Sequence, residues 1–207
     1  MSAVLFKDDI LFLQRILASA GFYKGPLNGT WTAAVDKAET DFNAESQNIK
    51  SQLGEFDPRS EGNIMTLLPA AQRTARQFLS AVAGGPLTYK IISGTRTYAE
   101  QEALYKIGRT IQKDRGPVTN ARGGKSNHNF AIAWDVGIFE GGKYYTGASK
   151  KEEKAYADLG KLIKVQVPNI EWGGDWTSFV DMPHYQHKTG KSVSEIAALL
   201  EKGKTYA

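Results

Sequence analysis

The sequence predicts an α+β fold: a small antiparallel sheet with flanking helices, preceded by a small all-helical module. Three observations carry this. Apolar residues recur at helical spacing in several long segments. Short runs rich in β-formers (87–93, 131–139 and 182–186) lie apart, separated by helical or glycine-rich stretches. Strands do not alternate regularly with helices, as a doubly wound parallel sheet would require. At 207 residues and 41% apolar content, with 9 Phe, 9 Tyr and 4 Trp, the chain can bury a sizeable core, which excludes intrinsic disorder.

The elements follow in order. Asp8 and Asp9 suit the positive end of a helix over 8–20, whose apolar stripe is Ile10, Leu13, Leu17 and Ala20, with Gly21 closing it. Gly25-Pro26-Leu27-Asn28-Gly29 is turn chemistry, and a second helix carries Trp31, Val35, Ala38 and Phe42. Two helices around a turn make a unit of about 45 residues, small to stand alone. Residues 43–56 are polar and read as a linker, so the chain divides into a helical module over 1–50 and a larger domain over 51–207. From Ser60 a long helix is expected through Ile64, Leu67, Leu68, Ala71, Ala75, Phe78 and Val82, kinked at Pro69, and Gly84-Gly85-Pro86 ends it. Leu87–Ser93 reads as a strand. Thr97 and Glu100 have capping-box spacing for a helix to about Asp114. A glycine-rich loop from Gly116 to Asn129 leads into a strand over Ala131–Phe139. Ser149 to Glu152 is a second capping box, opening a helix with Tyr156, Leu159, Leu162 and Ile163. A Trp-Gly stretch, an extended Met182–Gln186 and a helix near 193–202 complete the chain.

Lys and Arg outnumber Asp and Glu by 26 to 22, a mild excess that suits a polyanionic partner without choosing one. No run of five like charges occurs, so a nucleic-acid-binding arm is not expected. The absence of cysteine removes disulfides, thiol catalysis and Cys-ligated zinc together. The stretch from Met1 to Asp9 turns acidic by residue 8 and does not read as a secretion signal, and no segment reaches membrane-spanning length. The expectation is synthesis in the cytoplasm with no membrane insertion; a substrate beyond the membrane would need a separate release route.

The three histidines are His128, His184 and His187. His128 stands in a loop, and Asp135 follows seven positions later in a strand, sharing a face with Ala131 and Ala133. Two alanines beside a carboxylate leave space in front of it. Downstream, Asp181-Met182-Pro183-His184 places a second carboxylate three positions from an imidazole, with Pro183 restricting the backbone between them. Two His and one Asp with a free fourth position make a reasonable catalytic zinc sphere, and Asp181 then serves as base. Spacing alone leaves alternatives: His187 can replace His184, and Asp181 can be a turn cap. Gly123-Gly124-Lys125-Ser126 is not a phosphate-binding loop, because position 119 is Thr and a strand follows where a helix should begin.

The run from Ser126 to Asp135 resembles the Ser-x-His-x-x-Gly-x-Ala-x-Asp signature of the D-alanyl-D-alanine carboxypeptidase and L-alanyl-D-glutamate endopeptidase family of zinc enzymes, which includes many phage endolysins. Asp181-Met182-Pro183-His184 is similar to the second signature of that family, and Ser93-Gly94-Thr95-Arg96 to its upstream arginine. Glu171-Trp172-Gly173-Gly174-Asp175-Trp176 resembles the endolysin branch. The likeness spans roughly residues 57–187, with one departure: Ala131 stands at the family glycine. It implies zinc held by His128, Asp135 and His184, Asp181 as general base and acid, and Arg96 facing the scissile carbonyl. Ser126 and Trp172, with Trp176, are candidate substrate contacts; their bland readings are a loop hydrogen bond and core packing.

Residues 13–42 also resemble a shortened peptidoglycan-binding module, though a helical hairpin that only packs would look the same. The resemblances together imply a monomeric zinc metallopeptidase that binds bacterial peptidoglycan, cuts its stem peptide at L-alanyl-D-glutamate and lyses a host cell from within after release. A D-alanyl-D-alanine carboxypeptidase is the alternative enzyme. A non-catalytic wall-binding protein is the alternative of another class, opposed by the full set of ligands and base.

Overall fold

A computed structural model describes residues 6–207; the stretch Met1–Leu5, part of the segment in which no secretion signal is expected, lies outside the described residues. The elements are α1 (Lys7–Ser19), α2 (Ala33–Leu53), α3 (Pro58–Ile64), α4 (Pro69–Ala81), β1 (Thr88–Ser93), α5 (Tyr98–Lys106), β2 (Ala133–Glu140), β3 (Lys143–Tyr144), α6 (Lys150–Gln166), β4 (Ile170–Trp172), β5 (His184–His187) and α7 (Val193–Glu201). The class is α+β with a small antiparallel sheet. Among the described residues the chain divides into two units: 6–45, Arg96–Ala131 and Thr189–Tyr206 form one, and Ser46–Thr95 with Ile132–Lys188 the other.

The second unit holds the sheet, in the order β1-β2-β5-β4 with β3 also on β2, every pairing antiparallel. β2 is interior and covered on both faces: Ala133, Trp134, Val136, Gly137 and Ile138 are buried while Asp135 keeps partial exposure. That continuous burial is the expected character of a central strand. α3 packs on β1, α4 on β5 and α6 on β4, closing a core around Phe78, Trp134, Tyr156, Ile163 and Tyr185. Within this core Arg76, fully buried, forms a two-pronged pair with Glu61, both arms at 2.8 Å. In the first unit α1 packs against α7, and Leu17, Tyr23, Val35, Ala38 and Phe42 form a separate apolar cluster.

Four expectations are corrected. Residues 43–56 are not a linker: α2 continues to Leu53 and ends where Gly54 turns left-handed (φ +94°). Its polar residues are the solvated face, while Ser46 and Ile49 face inward, Ser46 Oγ accepting from Gln72 Nε2 at 2.8 Å. Pro69 does not kink one helix but starts α4, since a residue lacking N–H fits the first turn and forces Leu68 into an extended conformation (ψ 150°). α5 stops at Lys106, not near Asp114. Gly108 is left-handed there, and a Cβ on it would lie 2.6 Å from the Gly116 and Pro117 backbone, so a helix cannot continue through this close approach. β2 begins at Ala133; Ala131 is left-handed (φ 53°, ψ 32°), capping a 3-10 turn over Asn127–Phe130, and does not share the strand face of Asp135.

Candidate functional site

The β2–β5 register sets Asp135 opposite His184. Neighbours across paired strands lie close enough for side chains to meet, and His184 Nδ1 is 3.5 Å from Asp135 Oδ1. Pro183 precedes β5, and its carbonyl accepts from Val136 N at 2.9 Å, anchoring the strand entry beside Asp135. His187, three positions along β5, points to the other face. Its Nδ1 meets Thr74 Oγ1 at 2.7 Å, and burial lowers its pKa. Of the two histidines on β5, His184 is the one that faces Asp135.

His128 sits in the 3-10 turn whose first cap is Ser126: the Ser126 hydroxyl accepts from His128 N at 3.4 Å. Asn129, fully buried, stitches the surrounding loop. Its Oδ1 accepts from Gly124 N (2.9 Å) and Ser126 N (3.4 Å), and its Nδ2 donates to the carbonyls of Arg96 (2.9 Å) and Thr97 (3.2 Å). Arg96 N in turn donates to His128 O at 3.1 Å, so the arginine and the histidine share one backbone anchor. The Arg96 guanidinium donates to Gln101 Oε1 at 2.8 Å; Gln101, also buried, donates to Thr119 Oγ1 and Ala121 O.

Among the described residues, His128, Asp135 and His184 bring ligand atoms within 4.8 Å of one another, with both imidazoles buried. The donor set and spacing fit a metal. Two ligands bonded at about 2.0–2.1 Å in tetrahedral geometry lie roughly 3.3 Å apart, close to the 3.5 Å between His184 and Asp135. Electrostatics agree. Burial alone would pull the His184 pKa down, but hydrogen bonding and charge from Asp135, with contributions from Gln186 and Asp181, raise it on balance. Surroundings that favour a proton on this imidazole also favour a cation beside it.

Asp181 is positioned by the preceding glycine-rich segment. Asp181 N donates to Gly173 O at 3.0 Å, and His184 N donates to Asp181 O at 3.2 Å. A Cβ on Gly173 would lie 2.5 Å from Asp181 O and 3.0 Å from the His184 Cβ, so only glycine fits. Trp172 is buried at 6% exposure, and its Nε1 donates to Met182 O at 2.8 Å. Its indole therefore braces the Asp181–His184 segment from inside the core, with little surface left for a ligand. Trp176 is the tryptophan beside the ligand set, its ring centroid 4.8 Å from that of His184.

Sequence reasoning missed Asn129, Gln101, Glu171 and Gln186. Asn129 lay inside the recognised motif and Glu171 inside the Trp-Gly block, so a signal existed for both. Gln101 and Gln186 carried none, because an isolated glutamine reads as surface.

Comparison with known proteins gives three findings. Residues 119–187 match a family model described as D-alanyl-D-alanine carboxypeptidase. The chain is 32% identical over 123 residues to the peptidoglycan L-alanyl-D-glutamate endopeptidase CwlK of Bacillus subtilis (strain 168), covering 58% of this chain and 72% of that protein. The crystal structure of the L-Ala D-Glu endopeptidase ChiX of Serratia marcescens superposes with a TM-score of 0.47 at 24% identity, over 65% of this chain and 90% of the other.

Proposed function

We propose a function from one premise: the chain belongs to the D-alanyl-D-alanine carboxypeptidase and L-alanyl-D-glutamate endopeptidase family of metallopeptidases. Its substrate is peptidoglycan, the metal is zinc, and the bond cut is the amide between L-alanine and D-glutamate in the stem peptide. The observation that carries this reading is the convergence of His128, Asp135 and His184 with Asp181 three positions before the second imidazole. The likeness to the Bacillus endopeptidase supports the choice of bond.

His128, Asp135 and His184 would hold the zinc, which when bound would lower the pKa of a water and polarise a carbonyl. The chain's own groups do the rest. Asp181 accepts the proton of the attacking water and returns it to the amine nitrogen as the C–N bond breaks, since an amine expelled without a proton is a poor leaving group. Arg96 places its cation where negative charge builds on the carbonyl oxygen. Ser126 holds the His128 turn. Residues 1–50 hold the enzyme on insoluble wall, the remainder being the catalytic domain, and a monomer suffices because the ligands and base come from one chain. The biological role is that of a phage endolysin acting on the host wall.

Mass spectrometry of purified peptidoglycan after digestion tests the proposal. Stem peptide released with L-alanine left on the glycan is the expected product. Loss of terminal D-alanine alone would establish the carboxypeptidase instead, and intact wall would reject both.

A further inference from the structure

One hydrogen-bond chain next to the ligand set has no part in the chemistry above. His184 and Gln186 are two apart on β5 and share a face. Gln186 is 8% exposed, with Glu171 opposite it on β4 and the small Ala133 opposite it on β2. His184 Nε2 lies 3.0 Å from Gln186 Oε1, and Gln186 Nε2 lies 2.7 Å from Glu171 Oε2.

The order of donors along this chain is biased from its far end, against the pull of Asp135 on the other ring nitrogen. An ionised carboxylate only accepts, so Glu171 takes the amide NH2 of Gln186. The amide then has to present its oxygen to the imidazole, and an oxygen there requires a proton on His184 Nε2. In a neutral imidazole the remaining lone pair belongs to Nδ1, the nitrogen that faces Asp135. Reversing the amide would set NH2 against Nε2, move the imidazole proton to Nδ1 and turn the ligand lone pair away from Asp135.

We infer that Glu171, acting through Gln186, is a positioning residue that fixes the tautomer of His184 and so presents Nδ1 to the metal. The role rests on the zinc reading for its purpose but not for its geometry, which exists in the metal-free chain. Partners that orient a ligating histidine typically change metal affinity by about 10–100-fold when removed.

The test uses the full chain and three variants: Glu171→Gln, Gln186→Leu and the exchange Glu171→Gln with Gln186→Glu. In the exchange, the new carboxylate at 186 accepts from His184 Nε2–H and from the new amide at 171, so the donor order is restored with the groups swapped. Zinc affinity is measured by competition with a chromogenic chelator. The tautomer is read from long-range 1H–15N correlation of the imidazoles in the zinc-free chain at mildly alkaline pH. Each single variant should bind zinc about 10–100-fold more weakly, and in Glu171→Gln the Nε2–H share of the neutral imidazole should fall, because Asp135 beside Nδ1 draws the proton the other way. The exchange should recover both readouts. Packing damage alone would leave the exchange no better than the single variants, and that result overturns the relay, as does an unchanged tautomer in Glu171→Gln. If the unmodified chain takes up no zinc, the zinc reading fails while the tautomer spectra still decide the relay.

Discussion

Replacing Gly160 with alanine should destabilise the protein, although Gly→Ala inside a helix ordinarily stabilises. A Cβ at Gly160 would lie 2.3, 2.4 and 2.5 Å from three atoms of the Trp172 indole, whereas carbon atoms settle at about 3.5–4.0 Å. The ring would have to move by more than about 1 Å to restore that spacing. It has little room to do so, because Gly174 is in the same close relation to the indole, with a built Cβ 2.1 Å away. Moving the ring also stretches its 2.8 Å bond to Met182 O. Helix propensity contributes about 1 kcal/mol in favour. Overpacking costs about 1–3 kcal/mol, and a carbonyl left without its donor about 1–3 kcal/mol more. The net is a loss of roughly 1–5 kcal/mol, or a fall in Tm of roughly 2–20 °C for a chain of this size. Zinc affinity should fall as well, since Met182 lies between Asp181 and His184. Gly62 in α3 is the control: it is exposed and a Cβ there meets nothing within 4 Å, so Gly62→Ala should gain about 0.4–1 kcal/mol. Urea unfolding of both variants decides. A Gly160→Ala chain as stable as Gly62→Ala would refute the account of Trp172 as a brace held between two glycines.

Three further outcomes follow from the site and the core. Asp181→Asn should retain zinc and fold while wall digestion slows by roughly 10²–10⁴-fold; normal digestion would remove Asp181 from the mechanism. His184→Ala should lose zinc and His187→Ala should keep it, as metal analysis of the purified variants will show; the opposite pattern would reverse the ligand assignment. The Glu61 pKa is lowered: burial pushes it up, but the Arg76 guanidinium and the Phe56 N–H outweigh burial. Its stabilising contribution is therefore full above the unfolded glutamate value of about 4.3 and lost as pH falls through the lower folded value. Glu61→Gln should destabilise by about 3–5 kcal/mol at neutral pH by stranding buried Arg76, and unfolding curves of the two proteins should draw together below about pH 4; a gap independent of pH would contradict the assignment.

The candidate site was legible in the sequence wherever one local segment carries both a side chain and the turn that aims it. His128 and Asp135 sit in one motif, and Asp181 and His184 straddle a proline. Choosing His184 over His187 needed the β5 register, which gives the two histidines opposite faces. The polar helix of residues 43–53 was illegible because only Ser46 and Ile49 face inward there, too few apolar residues to reveal a helical period. Ala131 was placed on a strand by its β-forming neighbours, yet the family glycine at that position was a clue to its left-handed backbone. Trp172 drew a substrate role from its motif, and only the packing against Gly160 and Gly174 displays its place in the core.

The first unit is sewn from three stretches far apart along the chain, and this bears on how the protein is made. α1 packs on α7, α7 also packs on the turn that carries His128, and Tyr206 Oη donates to Phe130 O at 2.7 Å across 76 positions. Contacts between such distant segments must close long loops before they stabilise anything, and they form slowly. A growing chain emerges at roughly 5–20 residues per second, so α1 waits for its partner until α7, far downstream, has been made. The turn bearing His128 gains its brace only once α7 has emerged. Synthesis itself thus sets a delay between the appearance of the turn that carries His128 and the packing that braces it.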